Sequence, residues 1–200
     1  MPRTSEAQFP ALSTHIPDPE IRDLFTWPFL RVSEIFDELV DAASAEVLRR
    51  AGAWPVVPGT GPAALVAARG WAPRSLPLLE FVHGKLAAAG YLSKAEGEYS
   101  PTGSEPGDLE ALEAELAAAE PDAAVAGEAV RILVEETGLF LSGEKTGEEI
   151  LFRPDRLPLW FRYFSNRNLL YSINNRLGAL ALSRLLPESG SRVLEVGGGA

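Results

Sequence analysis

The last ten residues, Ser191-Arg192-Val193-Leu194-Glu195-Val196-Gly197-Gly198-Gly199-Ala200, constrain the fold more than any other stretch. Arg192 to Val196 reads as a short buried strand whose one interior acid is Glu195. Three glycines follow directly. A turn at the C-terminal end of a strand must let a ligand come close to the backbone, and a Cβ would block that approach. The helix expected next would aim the free N–H groups of its first turn at the same point. Several α/β folds open a nucleotide site in this way. Such a sheet needs several further βα units, roughly a hundred residues or more. Residues 188–200 are therefore expected to start an α/β, Rossmann-like domain, and the 200 residues to be the front part of a longer enzyme.

Charge narrows the class of partner. The formal net charge is -10, from 18 Lys and Arg against 28 Asp and Glu. A phosphate backbone would be repelled by that balance, so nucleic acid is not expected as a partner. A small phosphorylated or adenosine-bearing ligand is not excluded. The chain has no cysteine, hence no disulfide framework and no thiolate ligand or nucleophile. Its two histidines, His15 and His83, lie far apart, so no imidazole metal centre is expected. Met1 to Glu6 shows no basic segment followed by an apolar run, and no stretch approaches the roughly 20 apolar residues of a membrane span. The expectation is a cytoplasmic protein without a membrane partner.

The rest of the chain reads as helical. Residues 1–30, with Pro2, Pro10, Pro17, Pro19 and Pro28, form an arm with a short helical turn over Glu20 to Phe25. Ser33 to Ala51 has helical spacing, with Ser33 as cap and Gly52 just past the end. Pro62 to Arg69 is a second helix, closed by Gly70, and a third runs from Ser75 to Gly90. Two strands around Glu96-Gly97 make a hairpin. Three helices and a hairpin over 31–105 give a winged-helix-like order. A DNA-reading helix would show several Lys, Arg, Asn or Gln, whereas the third helix offers only Glu80, His83 and Lys85. The alternative is a dimerisation or capping domain whose helices form a candidate homodimer surface. His83 is expected to be a partly buried helix residue, not a base.

Residues 106–187 read as a helical linker and lid. Asp108 caps a helix with Leu109, Leu112 and Leu116 inward and Glu110, Glu113 and Glu115 on a solvated face. Pro121 opens another, which Gly138 is expected to end. Leu139 to Phe152 is an apolar patch, a polar glycine loop and a second apolar patch. Trp160 to Asn166 then leads into a helix from about Leu170, with Ile173, Leu177, Leu180, Ala181 and Leu185 at apolar positions.

Taken together, Gly143, Glu144, Ile150, Leu151 and Phe152, then Tyr163, Asn166, Asn174 and Asn175, then Glu195, Gly197 and Gly199 resemble a known pattern. It is that of the methyltransferase modules of polyketide and nonribosomal peptide synthetases, with a strand ending E-x-G-x-G-x-G. The resemblance covers roughly residues 139–200, and the final glycine of the pattern would fall at position 201. It implies a class I methyltransferase that uses S-adenosylmethionine, with a small-molecule or carrier-bound acyl or peptidyl substrate. Glu195 would help order the turn and the cationic amino-acid end of the cofactor, beside Gly197, Gly198 and Gly199. Dinucleotide sites carry an apolar strand up to the first glycine, so Glu195 favours S-adenosylmethionine over NAD. A glycine turn without a ligand is the alternative. Tyr163 and Asn166 are candidates for a lid over the cofactor, Trp160, Phe161, Tyr163 and Phe164 for a packing cluster between the helical cap and the sheet, and the two readings are compatible. No catalytic residue is assigned within 1–200, and a base would be expected beyond them. The competing functional class is a non-catalytic helical dimerisation or interaction domain.

Overall fold

A computed structural model describes residues 18–186, together with Gly190 and Arg192. The strand expected over Arg192 to Val196 and the glycine turn expected after it fall, from residue 193 on, outside the described residues. The described chain is mainly helical, with a single two-stranded hairpin. In order it comprises α1 (Pro19–Arg22), α2 (Trp27–Arg50), α3 (Pro62–Arg69), α4 (Leu76–Ala88), β1 (Leu92–Ala95) and β2 (Glu98–Pro101). There follow α5 (Leu109–Ala119), α6 (Ala124–Leu141), α7 (Gly147–Leu151), α8 (Leu157–Tyr163) and α9 (Leu169–Leu185).

The organising element is α2. It begins six residues before the expected Ser33 start, because Thr26 caps it by accepting from the Phe29 N–H at 3.4 Å. Pro28 then sits in the first turn, where its missing N–H costs nothing. Its C-terminus is the expected one. Gly52 takes φ +64, the Ala53 N–H reaches back to the Leu48 carbonyl at 2.8 Å, and the Gly52 N–H bonds Arg49. This double closure satisfies carbonyls that a helix end would otherwise leave bare.

The buried residues of α2 serve two clusters. Its first half gives Val32, Ile35 and Leu39 to a cluster with Leu112 and Leu116 of α5. Its second half gives Val47 and Leu48 to a larger one with Leu79, Val82 and Leu86 of α4. Leu92 and Tyr99 of the hairpin join that cluster, as do Val134 and Leu141 of α6. One long helix thus ties the front of the chain to the helices beyond residue 105.

The hairpin turns on Glu96 (φ 51) and Gly97 (φ 86), the paired left-handed conformations that match strand twist in a two-residue loop. Register pairs Leu92 with Pro101 and Ala95 with Glu98, and Thr60 bridges to Tyr99 on the other edge. On α4, His83 is 1% exposed, and its Nδ1 lies 2.7 Å from the Leu79 carbonyl. Burial pushes its imidazole pKa down. His83 is therefore a neutral core residue, its ring tilted against that of Tyr99 at 5.1 Å. Lys85 is held by Asp37 at 3.3 Å and Asp41 at 3.4 Å.

Two other expectations are corrected. Glu113 and Glu115 are not free on a solvated face. Glu113 takes both guanidinium nitrogens of Arg131 on α6, and Glu115 meets Arg31 of α2 at 2.5 Å. Helix α5 therefore needs acids where it crosses two basic neighbours. Gly138 does not end α6, which runs on to Leu141. The turn falls at Gly143, whose φ is +82. No described helix is long and apolar enough to cross a membrane.

Candidate functional site

The sequence pattern places its readable site residues between α6 and α9. The polar glycine loop is built by the end of α6. The Gly143 N–H returns to the Phe140 carbonyl at 3.1 Å, and the Lys145 N–H to Leu139 at 3.0 Å. Arg74 clamps the loop from outside, donating to the carbonyls of Gly143 at 2.7 Å and Lys145 at 3.0 Å. Thr146 and Glu149 then form a reciprocal capping box that starts α7. The expected second apolar patch divides here, for Ile150 is buried while Phe152 is exposed.

Glu136 of α6 pins this segment. It accepts from Lys145 at 2.9 Å and from Arg156, which also donates to the Ile150 carbonyl. Hydrogen bonds from Lys145 and Arg156 hold its carboxyl below the ordinary carboxylate range. Both arms of the loop are thus locked to one carboxylate.

Next comes an aromatic run. Trp160 donates its indole N–H to the Leu151 carbonyl at 2.6 Å and stacks on Phe152 at 5.1 Å. Tyr163 lies 5.5 Å from Trp160, 5.3 Å from Phe164 and 5.8 Å from Tyr171, edge-on or tilted. Leu159, on the inner side of α8, is buried against Val125 and Ala129 of α6. Burial, with Tyr171 adding to it, pushes the Tyr163 phenol up, so its hydroxyl stays protonated. Trp160, Tyr163 and Phe164 thus pack together, while Phe161, expected in the same cluster, is exposed.

Asn166 is exposed, and its side-chain oxygen accepts from Asn175 of α9 at 2.8 Å. Tyr163 and Asn166 thus share one short connector, Tyr163 packed within the aromatic cluster and Asn166 joined to the first turns of α9. Glu195, Gly197, Gly198 and Gly199 lie outside the described residues.

The residue that sequence reasoning missed is Asn168. Its exposure is 0%. Its amide N–H donates to the Tyr163 carbonyl at 2.8 Å, and its Oδ1 caps α9 at the Leu170 N–H. Its own N–H bonds Ser165. One side chain therefore fixes how α9 leaves the aromatic cluster. The visible signal was an Asn immediately before an apolar periodic run, the ordinary N-cap pattern.

Among the described residues no group of His, Cys, Asp and Glu could hold a metal ion. A cavity of about 630 Å³ lies away from the aromatic connector, between α2, α5 and α6 around Arg49, Glu113 and Arg131.

No protein-family model matches the chain, and no curated protein matches it. Solved structures do match, among them two carbon methyltransferases. The CurJ carbon methyltransferase aligns with a TM-score of 0.62 and 19% identity over 90% of this chain and 50% of its own. The DszA carbon methyltransferase aligns with a TM-score of 0.61 and 17% identity over 93% of this chain and 46% of its own. The chain spans about half the length of these structures, and at such identities the likeness is one of fold.

Proposed function

We propose that this chain is the front half of an S-adenosylmethionine-dependent carbon methyltransferase of the synthetase type. The observation that carries the reading is a fold shared, over at least nine-tenths of this chain, with two carbon methyltransferases. The sequence Glu195-Val196-Gly197-Gly198-Gly199 adds support, as the acid-and-glycine pattern with which such a protein would begin its cofactor domain. Residues 31–105 are read as a winged-helix-like cap. DNA recognition by that cap is disfavoured, because His83 is buried and Lys85 is engaged by Asp37 and Asp41.

The cofactor supplies a methyl group on a sulfonium, already activated for transfer to a nucleophile. Glu195 and Gly197, Gly198 and Gly199 would hold its amino-acid end, the acid by hydrogen bonding and the glycines by allowing close approach. Tyr163, kept protonated by burial, is a neutral donor, and the aromatic faces around it suit a cation. Asn166, joined to Asn175, would contribute an amide at the lid. Positioning, not activation, is the work asked of these residues. The acceptor is read as a carbon on a small molecule or a carrier-bound acyl chain, which needs a base to remove its proton.

Calorimetric titration of S-adenosylmethionine into the intact polypeptide tests this. Saturable binding, weakened at least roughly tenfold by Glu195→Ala, is expected for a hydrogen bond to a charged group. Absence of binding overturns the reading, and unchanged affinity in the variant removes Glu195 from the site.

A further inference from the structure

One stretch of this acidic chain is basic. From Arg156 to Pro187 the sequence holds five arginines and no Asp or Glu, in a chain whose formal net charge is -10. Three of the five are neutralised from other elements. Arg156 meets Glu136, Arg162 meets Glu128 at 2.6 Å, and Arg184 meets Asp18 at 2.6 Å and Glu20 at 2.5 Å. The side chains of Arg167 and Arg176 have no such partner among the described residues, and both residues are exposed. The connector brings these two together. The Nδ2 of Asn175 donates to the Oδ1 of Asn166 at 2.8 Å, and each of these amides is the chain neighbour of one of the two arginines. Consecutive Cα atoms lie about 3.8 Å apart, so both arginines flank the bonded amides within the combined reach of two long side chains. The Asn166 oxygen is used in that bond, which leaves its amide nitrogen to donate outward. Arg167 also precedes Asn168, the cap of α9, where the helix dipole adds partial positive charge. Two like charges without counter-ions repel, and a bound anion relieves that repulsion.

We propose that Arg167 and Arg176, with the Asn166 amide between them, form a binding site for a phosphoryl group. Chemistry selects the ligand. A guanidinium forks onto two oxygens of one anion, so a carboxylate is filled by a single arginine. Two guanidiniums and an amide call for an anion with more acceptor oxygens, which a phosphate ester supplies. Nucleic acid, the polymeric source of phosphate, is disfavoured by the charge of the whole chain. Position selects the role of the phosphate, and this step rests on the proposed function. Tyr163 and Asn166 stand on one short connector, Tyr163 within the aromatic cluster and Asn166 exposed. An anion beside Asn166 therefore sits at the solvent edge of the surface read as the lid. S-adenosylmethionine carries no phosphate, so the site serves the methyl acceptor. The phosphate is a handle, held away from the carbon that receives the methyl group. It is the terminal phosphate of a small molecule or a phosphodiester within the arm of a carrier, and the recognising groups are the same for both.

Inorganic phosphate titrated into the intact polypeptide at constant ionic strength, followed by phosphorus NMR line width, tests the site. Saturable binding is expected. Arg167→Gln and Arg176→Gln should each weaken it at least roughly tenfold, as for lost hydrogen bonds between charged groups. Both arginines are exposed, so the variants should fold, and unchanged thermal unfolding checks this. Lys94→Gln makes the same charge change on the exposed hairpin and should leave binding unchanged. Absence of saturable binding overturns the proposal. Equal weakening by Lys94→Gln overturns it too, because the effect is then one of diffuse charge. So does weakening by only one of the two arginine variants. Methyl phosphate and dimethyl phosphate separate the two sources. Tighter binding of the monoester supports a terminal phosphate, and equal binding of the diester supports a carrier arm. No readout uses a methyl donor. Phosphate binding in a polypeptide that does not bind S-adenosylmethionine therefore refutes the proposed chemistry alone, and cofactor binding without phosphate binding refutes the site alone.

Discussion

Helices α2 and α9 look alike as sequence periodicity, yet they sit differently. Along α2, ten of 24 residues are buried, and they include Asp41 and Ser44. Along α9, two of 17 are. Helix α2 has neighbours on several sides, α4, α5, α6 and the hairpin. It can therefore bury polar groups, provided they are paired. Asp41, whose carboxyl pKa burial pushes up, is kept by Lys85 at 3.4 Å. Helix α9 leaves the body after its second turn and keeps a nearly uncharged surface. Apolar spacing fixes which residues seek an interior; only the fold decides whether the described chain provides one.

The contrast predicts the largest effect inside α2. Leu39 is fully buried against the α5 side. Leu39→Ala should cost about 2–5 kcal/mol, through lost transfer energy and the cavity left behind. Urea unfolding measures it. A cost below 1 kcal/mol would mean that α2 is not the shared spine of the two halves.

A smaller effect separates the α6 to α9 segment from both helices, because there charge does what burial does in α2. Glu136→Gln should cost about 1–3 kcal/mol at neutral pH, since two charge-assisted hydrogen bonds weaken. The sign with pH follows from the lowered pKa. Glu136 binds its proton less readily when folded, so its contribution is complete above the ordinary value of 4.5 and is lost as pH falls through the lower folded value. The gap between wild type and variant in denaturant midpoint should therefore close in acid. A gap that persists there would make the pin steric instead of ionic.

Local signals were legible where one residue decides. Gly52, Gly70 and Asp108 each closed or capped the element that their sequence position implied. So did the Glu96-Gly97 turn. Partnerships across the chain were not legible. Nothing in Glu113 or Glu115 announces Arg131 and Arg31, and nothing in Glu136 announces Lys145 and Arg156 together. The start of α2 was missed because Trp27-Pro28-Phe29 resembles an arm until Thr26 is recognised as a cap. At the candidate site the aromatic connector was readable as a cluster, but its anchor was not. Asn166 and Asn168 are the same residue type two positions apart, and only packing tells the exposed one from the buried one.

The smallest prediction turns on two glycines five residues apart, one misread and one decisive. Gly138 lies inside α6, and a Cβ added there meets nothing within 4 Å. Gly138→Ala should stabilise by about 0.5–1 kcal/mol, because alanine loses less backbone freedom in a helix. Gly143 holds φ +82, and a Cβ there would lie 3.0 Å from the Ala72 Cβ. Gly143→Ala should therefore destabilise, by about 1–2 kcal/mol for the left-handed backbone and the contact together. It should also loosen the Arg74 clamp on the loop that leads to α7. Opposite signs in thermal unfolding of the two variants are the expected result. Equal signs would place the end of α6 at Gly138, and would detach the glycine loop from the body that α2 organises.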